Sequence, residues 1–139
     1  MSWLLDTCVI SELIKPRPRP SVVSWLSSQE EEHLFLSSIT LGEIQKGVSK
    51  LPESLKRSGL QEWLDLELTA RFKGRILGID SSVAKKWGEI QALSERSGIK
   101  MPVVDSLIAA IAMVHDLTVV TRNIHDLEPS GVRLFNPWE

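Results

Sequence analysis

Four acidic residues stand where their surroundings make a carboxylate conspicuous. Asp6 closes the apolar run Trp3-Leu4-Leu5. Asp105 stands between Val104 and Leu107 in a stretch otherwise built of valine, leucine, isoleucine, alanine and methionine. Glu43 sits in the first turns of a predicted helix, and Asp126 ends the segment Thr121-Arg122-Asn123-Ile124-His125-Asp126. An unpaired carboxylate withdrawn from water costs several kcal/mol, so it needs a partner or a proton. Several brought together repel one another, and without cations some must stay protonated. Hard oxygen donors suit magnesium or manganese, which keep bound waters and accept phosphate oxygens. Such an ion lowers the pKa of a bound water and stabilises charge on a phosphoryl group. No histidine or cysteine lies at a zinc-ligand spacing. Each acid also has a structural alternative. Asp105 and Asp6 can act as helix N-caps, and Glu43 lies three residues after Thr40, the spacing of a capping box.

The elements that must bring these residues together alternate in type. Trp3-Leu4-Leu5 has the length of a buried strand, and Asp6-Thr7 can cap a helix through Cys8, Val9, Ile10, Leu13 and Ile14. The alternating prolines at 16, 18 and 20 stop that helix, and Ser21 is expected to cap the next. Residues 33–38 read as a second strand, followed by a helix opened by Thr40 and bounded by Gly47 and Pro52. From Pro52 to about Phe72 runs a long amphipathic pattern (Leu55, Leu60, Trp63, Leu64, Leu66, Leu68) in which Gly59 is a candidate break. Ile76 to Ile79 is strand-like, and Asp80-Ser81 caps a helix with Val83, Trp87, Ile90 and Leu93 on one face, ended by Gly98. Val103 to Val114 reads as a buried helix, 117–121 as the clearest strand, and 132–135 as a last short one. Strands alternating with helices predict an α/β fold with a parallel sheet covered on both faces. In such sheets ligands bind beyond the carboxyl ends of the strands, the edge to which all four acidic segments can converge.

At 139 residues with 42% hydrophobic and 24% charged residues, the chain has the composition of one globular domain. It contains no apolar run long enough to span a bilayer, and its N-terminus lacks the basic region of a signal peptide, so the cytoplasm is the expected compartment. Cys8 is the one cysteine, which excludes an internal disulfide; with His33, His115 or His125 as base it could serve as a nucleophile, and packing is the alternative. The net charge of -2 does not advertise a nucleic-acid binder, although cations bound by the acids would leave the remaining surface net basic. Three other functions compete with metal-assisted phosphodiester cleavage. One is phosphoryl transfer through Asp6, although Cys8 occupies the place where such enzymes carry a second acid. Another is a catalytically inactive RNA- or protein-binding module of the same fold. The third is a structural protein whose acids are only caps.

At these residues the sequence resembles the PIN-domain ribonucleases, specifically the VapC-like toxins of bacterial toxin–antitoxin pairs. The matching segments are Leu4-Leu5-Asp6-Thr7 with 9–13, Ser38-Ile39-Thr40 with Gly42-Glu43-Ile44 and Gly47, 105–110, Thr121-Arg122-Asn123 with Asp126-Leu127, and the terminal Phe135-Asn136-Pro137-Trp138. The resemblance implies a single PIN domain over residues 1–139, a three-layer α/β sandwich, and a Mg2+- or Mn2+-dependent endoribonuclease. It implies that Asp6 and Asp105 are the principal metal ligands and that Glu43 acts through a water or a second metal. The fourth acid is matched by Asp126, with Asn123 as a neutral oxygen donor. Cys8 departs from the family, where asparagine commonly stands. Thr7, Ser11 and Thr121 are hydroxyls beside the site, with capping and turn formation as their alternative roles. Lys46 and Lys50, one turn apart, could track the RNA backbone or simply face solvent. A homodimer and a small cognate antitoxin that covers the site complete what the resemblance implies; the amphipathic helices rich in leucine and tryptophan offer grooves for such a partner, with plain core packing as their alternative.

Overall fold

A computed structural model describes residues 1–139. Five short strands form one sheet: β1 (Trp3–Leu5), β2 (Leu34–Ser37), β3 (Ile76–Leu77), β4 (Thr118–Val120) and β5 (Leu134–Phe135). Their order is β3-β2-β1-β4-β5 and every pairing is parallel. Parallel neighbours need long crossovers, which here are helices. On one face lie α1 (Thr7–Leu13), α2 (Pro20–Ser28), α3 (Ser38–Ser49), α4 (Leu55–Glu62) and α5 (Thr69–Arg71); on the other lie α6 (Ser81–Arg96), α7 (Val103–Val114) and α8 (Ile124–Leu127). The result is the three-layer α/β sandwich that the alternation of elements predicts.

Side chains of a strand alternate between faces, and the two cores follow that rule. Leu5 and Val120 point into a core with Val9, Ile10, Ile44, Leu64, Leu68 and Phe72. Leu4 and Val119 point the other way, against Ile90, Ile108, Ala109 and Leu127. Both leucines of β1 are fully enclosed. Truncating either to alanine would cost about 2–5 kcal/mol and loosen the strand that carries Asp6.

Several local boundaries differ from the sequence expectation. The second helix begins at Pro20, capped by Arg19, so Ser21 lies inside it; proline's fixed φ suits the first helical position. The third helix begins at Ser38, because Ser37 leaves β2 in extended conformation and its hydroxyl accepts the Thr40 N–H at 3.0 Å. Thr40 is therefore not the cap, Glu43 is not in a capping box, and Gly47 lies within the helix rather than at its end. Gly59 does not break the long helix; instead α4 runs into α5 through a π-helical stretch, Trp63–Leu68. Leu55, Leu66 and Leu93, taken from their spacing as buried, are exposed, and the buried position near the end of α6 is Ser94. Asp80 caps α6 through the Val83 N–H at 2.9 Å, and Gly98 turns the chain after it at φ +74°.

The strand order reverses at β1, which has β2 on one side and β4 on the other. The crossovers leaving β1 and β4 therefore diverge to opposite faces and open a crevice at their carboxyl ends.

Candidate active site

Register puts the first part of the site together. Leu5 pairs with Val120, so the next residue of each strand, Asp6 and Thr121, emerges beside its neighbour. The Asp6 N–H donates to the Val120 carbonyl at 3.0 Å, continuing the ladder by one bond. The Asp6 carboxylate is buried and held at both oxygens. Oδ1 accepts the Thr7 N–H at 2.9 Å and Oδ2 accepts the Thr121 hydroxyl at 2.8 Å. Thr121 is itself enclosed, and its oxygen accepts the Asn123 N–H at 2.9 Å, which ties the loop after β4 to the first acid. Asn123 takes part through its backbone; its side chain is exposed and makes no hydrogen bond to the site acids.

Cys8 completes that tie. Its sulfur accepts the Arg122 N–H at 3.4 Å and lies 3.6 Å from the Thr121 hydroxyl and 3.9 Å from Asp6 Oδ2. Burial, helped by the Asp6 charge, pushes the thiol above its usual range. No histidine is hydrogen-bonded to it, so the Cys–His nucleophile is absent.

Glu43 reaches the crevice from α3. Because Ser37 does the capping, the Glu43 side chain is free to accept the Thr7 hydroxyl at 2.5 Å. The Thr7 oxygen also lies 3.1 Å from that of Thr40, a fully buried residue whose hydroxyl is 3.3 Å from Ser37. This line of hydroxyls fixes α3 against α1. Sequence reasoning passed over Thr40 as part of the site after reading it as a helix opener. The signal that could have found it is Ser37, which has the N-cap spacing to Thr40 and leaves the threonine hydroxyl unassigned.

Asp105 occupies the first turn of α7, but Pro102 is the N-cap and the Asp105 side chain accepts no capping hydrogen bond. The cap alternative for this residue is thereby removed. Half-buried, it is pushed up to about 6, first by burial and then by the charges of Asp6, Asp126 and Glu43. Burial likewise raises Asp6, with Glu43 adding to it and the Thr121 and Thr7 hydrogen bonds opposing. Asp105 thus feels the charges of the other three acids picked out from the sequence, and Asp6 feels that of Glu43. None of them forms an ion pair.

The acids are not drawn into a tight knot. The trio of ligand atoms lying within 4.8 Å of one another is Glu30, Glu32 and His33, in the turn before β2. That turn is solvated, and Glu31 beside it is paired with Arg71 and Arg75. The donor set of the crevice still fits a hydrated hard cation, since magnesium keeps several waters and takes only one or two carboxylates directly. The remaining expected residues lie around the rim. Ser11 is exposed and, with Thr7 and Glu43, lines one end of an apolar groove of about 180 Å³ formed by Ile10, Ile14, Val48 and Trp63 among others. Lys46, in the last turn of α3, and Lys50, at its C-cap, are exposed without an acidic partner. Asp126 is exposed on α8.

Comparison with known proteins gives the family and agrees with the fold. The family model described as PIN domain matches residues 3–125. The chain is 40% identical to Toxin FitB of Neisseria gonorrhoeae over 135 residues, 97% of each chain. It is 35% identical to VapC ribonuclease Y4jK of Sinorhizobium fredii over 136 residues, 98% of this chain and 97% of the other. The crystal structure of FitAcB from Neisseria gonorrhoeae superposes with a TM-score of 0.94 at 39% identity, covering 99% of both chains.

Proposed function

From the premise that this chain belongs to the PIN-domain family, we propose that residues 1–139 form one PIN domain acting as a Mg2+- or Mn2+-dependent endoribonuclease, the toxin half of a toxin–antitoxin pair. The observation that carries this reading is that Asp6 and Glu43, joined through Thr7, lie within reach of Asp105, which also feels Asp126, while none of the four is paired with a cation of the protein. A structural role would match those charges, as it does elsewhere in the chain. The relatives at 35–40% identity, named as a toxin and a ribonuclease, support the same reading.

Asp6 and Asp105 would hold the ion, with Glu43 and Asp126 acting on its waters. When bound, the ion supplies Lewis acidity toward a phosphoryl oxygen and a more acidic water. The protein's own residues do the positioning. The Thr7 N–H and the Thr121 hydroxyl fix both oxygens of Asp6, and the Thr7 hydroxyl aims Glu43. Water attacks the RNA phosphorus, the ribose 3′ oxygen leaves, and the ends are a 5′-phosphate and a 3′-hydroxyl. Thr7, Ser11 and Asn123 border the reacting phosphate, with enclosed Thr121 behind them holding Asp6, and Lys46 and Lys50 lie where the backbone passes. The apolar groove adjoining Thr7 and Glu43 is the seat for a helix of the antitoxin, whose docking would cover the crevice. The working form is a homodimer in the cytoplasm; no helix of the chain is long and apolar enough to cross a membrane.

The test is cleavage of RNA by purified protein freed of contaminating nuclease. Asp6→Asn is expected to abolish cleavage with the fold intact, and EDTA to stop it until magnesium or manganese is returned. Full activity of Asp6→Asn, or unimpaired turnover in chelator, would overturn the reading.

A further inference from the structure

A cleft of about 490 Å³ opens beside the acids on the α6–α7 side and is unused by the chemistry above. Asp126 lines it, as does Pro102, which caps α7 three residues before Asp105. The cleft therefore adjoins the acidic crevice through Asp126, whose charge also acts on Asp105. We propose that it seats one nucleotide of the RNA strand flanking the scissile phosphate. The base lies against Ile99, Pro102 and Pro129, and the phosphate meets Lys100 and His125. This rests on the ribonuclease reading and gives that enzyme a substrate subsite.

Size, chemistry and rigidity support the assignment. The volume falls within the ~300–1,000 Å³ typical of small-ligand sites. Its lining joins an apolar wall to two hydrogen-bond donors, the combination a nucleotide needs, and neither Lys100 nor His125 has an acidic partner. Glu128, also on the lining, is suited to accept from the exocyclic amine of a base.

The loop that presents Ile99 and Lys100 is built rather than loose. Buried Ser94 donates to the Ile99 carbonyl and accepts the Met101 N–H at 3.1 Å. Gln91 donates to the Met101 carbonyl at 3.2 Å and to the Ser106 hydroxyl at 2.7 Å. Ile99 nevertheless stays 50% exposed, an aliphatic side chain held out into the cleft at no further ordering cost. A larger cleft, about 560 Å³ along α4, lacks these features: it has no apolar lining and none of the four acids.

The measurement is fluorescence anisotropy of a short single-stranded RNA of mixed sequence bound to the Asp6→Asn protein across a salt series. Lys100→Ala, His125→Ala and Ile99→Ser are added singly, with circular dichroism as the check on folding. Each should weaken binding about tenfold. Lys100→Ala should lower the salt slope by about 0.7, with Lys100→Arg restoring it, whereas Ile99→Ser should leave the slope unchanged. In the active protein these variants should raise KM more than they lower kcat, and Arg57→Ala, in the larger cleft, should change neither. Affinity and salt slope equal to the parent in all three, while Asp6→Asn still abolishes cleavage, would overturn the nucleotide subsite alone. So would variants that weaken binding of a protein partner but not of RNA. Persistent cleavage by Asp6→Asn would sink the ribonuclease reading instead.

Discussion

Around Glu31, in the turn before β2, carboxylates meet guanidinium groups; around Asp105, at the carboxyl edge of the sheet, they feel one another's charge and pair with no cation of the protein. Glu31 lies 3.0 Å from Arg71 and 3.3 Å from Arg75, and the Arg71 hydrogen bond above all holds it below the usual glutamate range. Glu12 belongs with Glu31: although buried, it accepts from Lys15 and from the Arg19 N–H, both at 2.9 Å. Asp105 has no such partner and is raised to about 6. The same chain thus settles two buried or clustered acids with its own cations and leaves a third set unmatched. The unmatched set has a deficit that a bound cation can fill.

Loss of cleavage is the largest effect by which this contrast can be broken. Asp105→Asn should lower the rate about 10³-fold or more, because a divalent ion contributes several kcal/mol of charge stabilisation. Glu31→Gln should leave the rate unchanged and cost less than about 1 kcal/mol of stability, as an exposed ion pair does. A similar loss of activity in both variants would erase the distinction. Next in size is Thr121→Val, which keeps the shape but removes the hydroxyl that orients Asp6. It should weaken metal binding, read by calorimetry, and activity by about 10–100-fold, the range for residues that orient a metal ligand.

Stability against pH sharpens the comparison further, because the two regions carry opposite signs. Asp105 titrates in the native protein at about 6, above its ordinary 3.8, so between those values the folded state holds the extra proton. Its contribution to stability therefore falls as pH rises through that window and does not return above it. Asp105→Asn should raise the Tm of the cation-free protein at pH 7 by a few degrees, and magnesium or manganese should raise the Tm of the parent but hardly that of the variant. Glu31, held low, contributes above the ordinary glutamate pKa and loses that contribution as pH falls through its folded value. Melting curves of parent and single variants between about pH 2.5 and 7 separate the two; a Tm difference for Asp105→Asn that does not change with pH would contradict the unmatched charge. The smallest effect is expected on the rim, where Lys46→Ala should lower the salt slope of RNA binding by about 0.7 with little change in kcat.

Much of this organisation is legible in the residues themselves. Period-two burial of Leu4 and Leu5, the apolar run of α7 and the β-branched β4 are local signals, and they determine the α/β class. Asp6 and Asp105 could also be picked out, because a carboxylate in an apolar segment is anomalous wherever that segment lies, whereas Glu43 and Asp126 were marked by their place after a strand and by the family resemblance. Their individual roles could not. Glu43 and Asp105 each had a capping role open to it by spacing, favoured over the ligand role for Glu43, and those alternatives fall only when Ser37 and Pro102 are seen to occupy the cap positions. Exposure was misjudged at Leu55, Leu66 and Leu93 for a related reason: helical periodicity names a face but not the neighbour that covers it.

From the chain alone come the element types, the parallel sheet and the list of residues able to hold a hard cation, since each depends on near neighbours in sequence. The tertiary structure decided which of them meet: the β1–β4 register that sets Asp6 beside Thr121, the hydroxyl line that turns Glu43 inward, and the separation that puts Glu30 and Glu32 elsewhere. Electrostatic coupling depends on distance through space, and residues 6 and 105 come within reach of each other's charge only when the chain between them has folded onto both faces of one sheet.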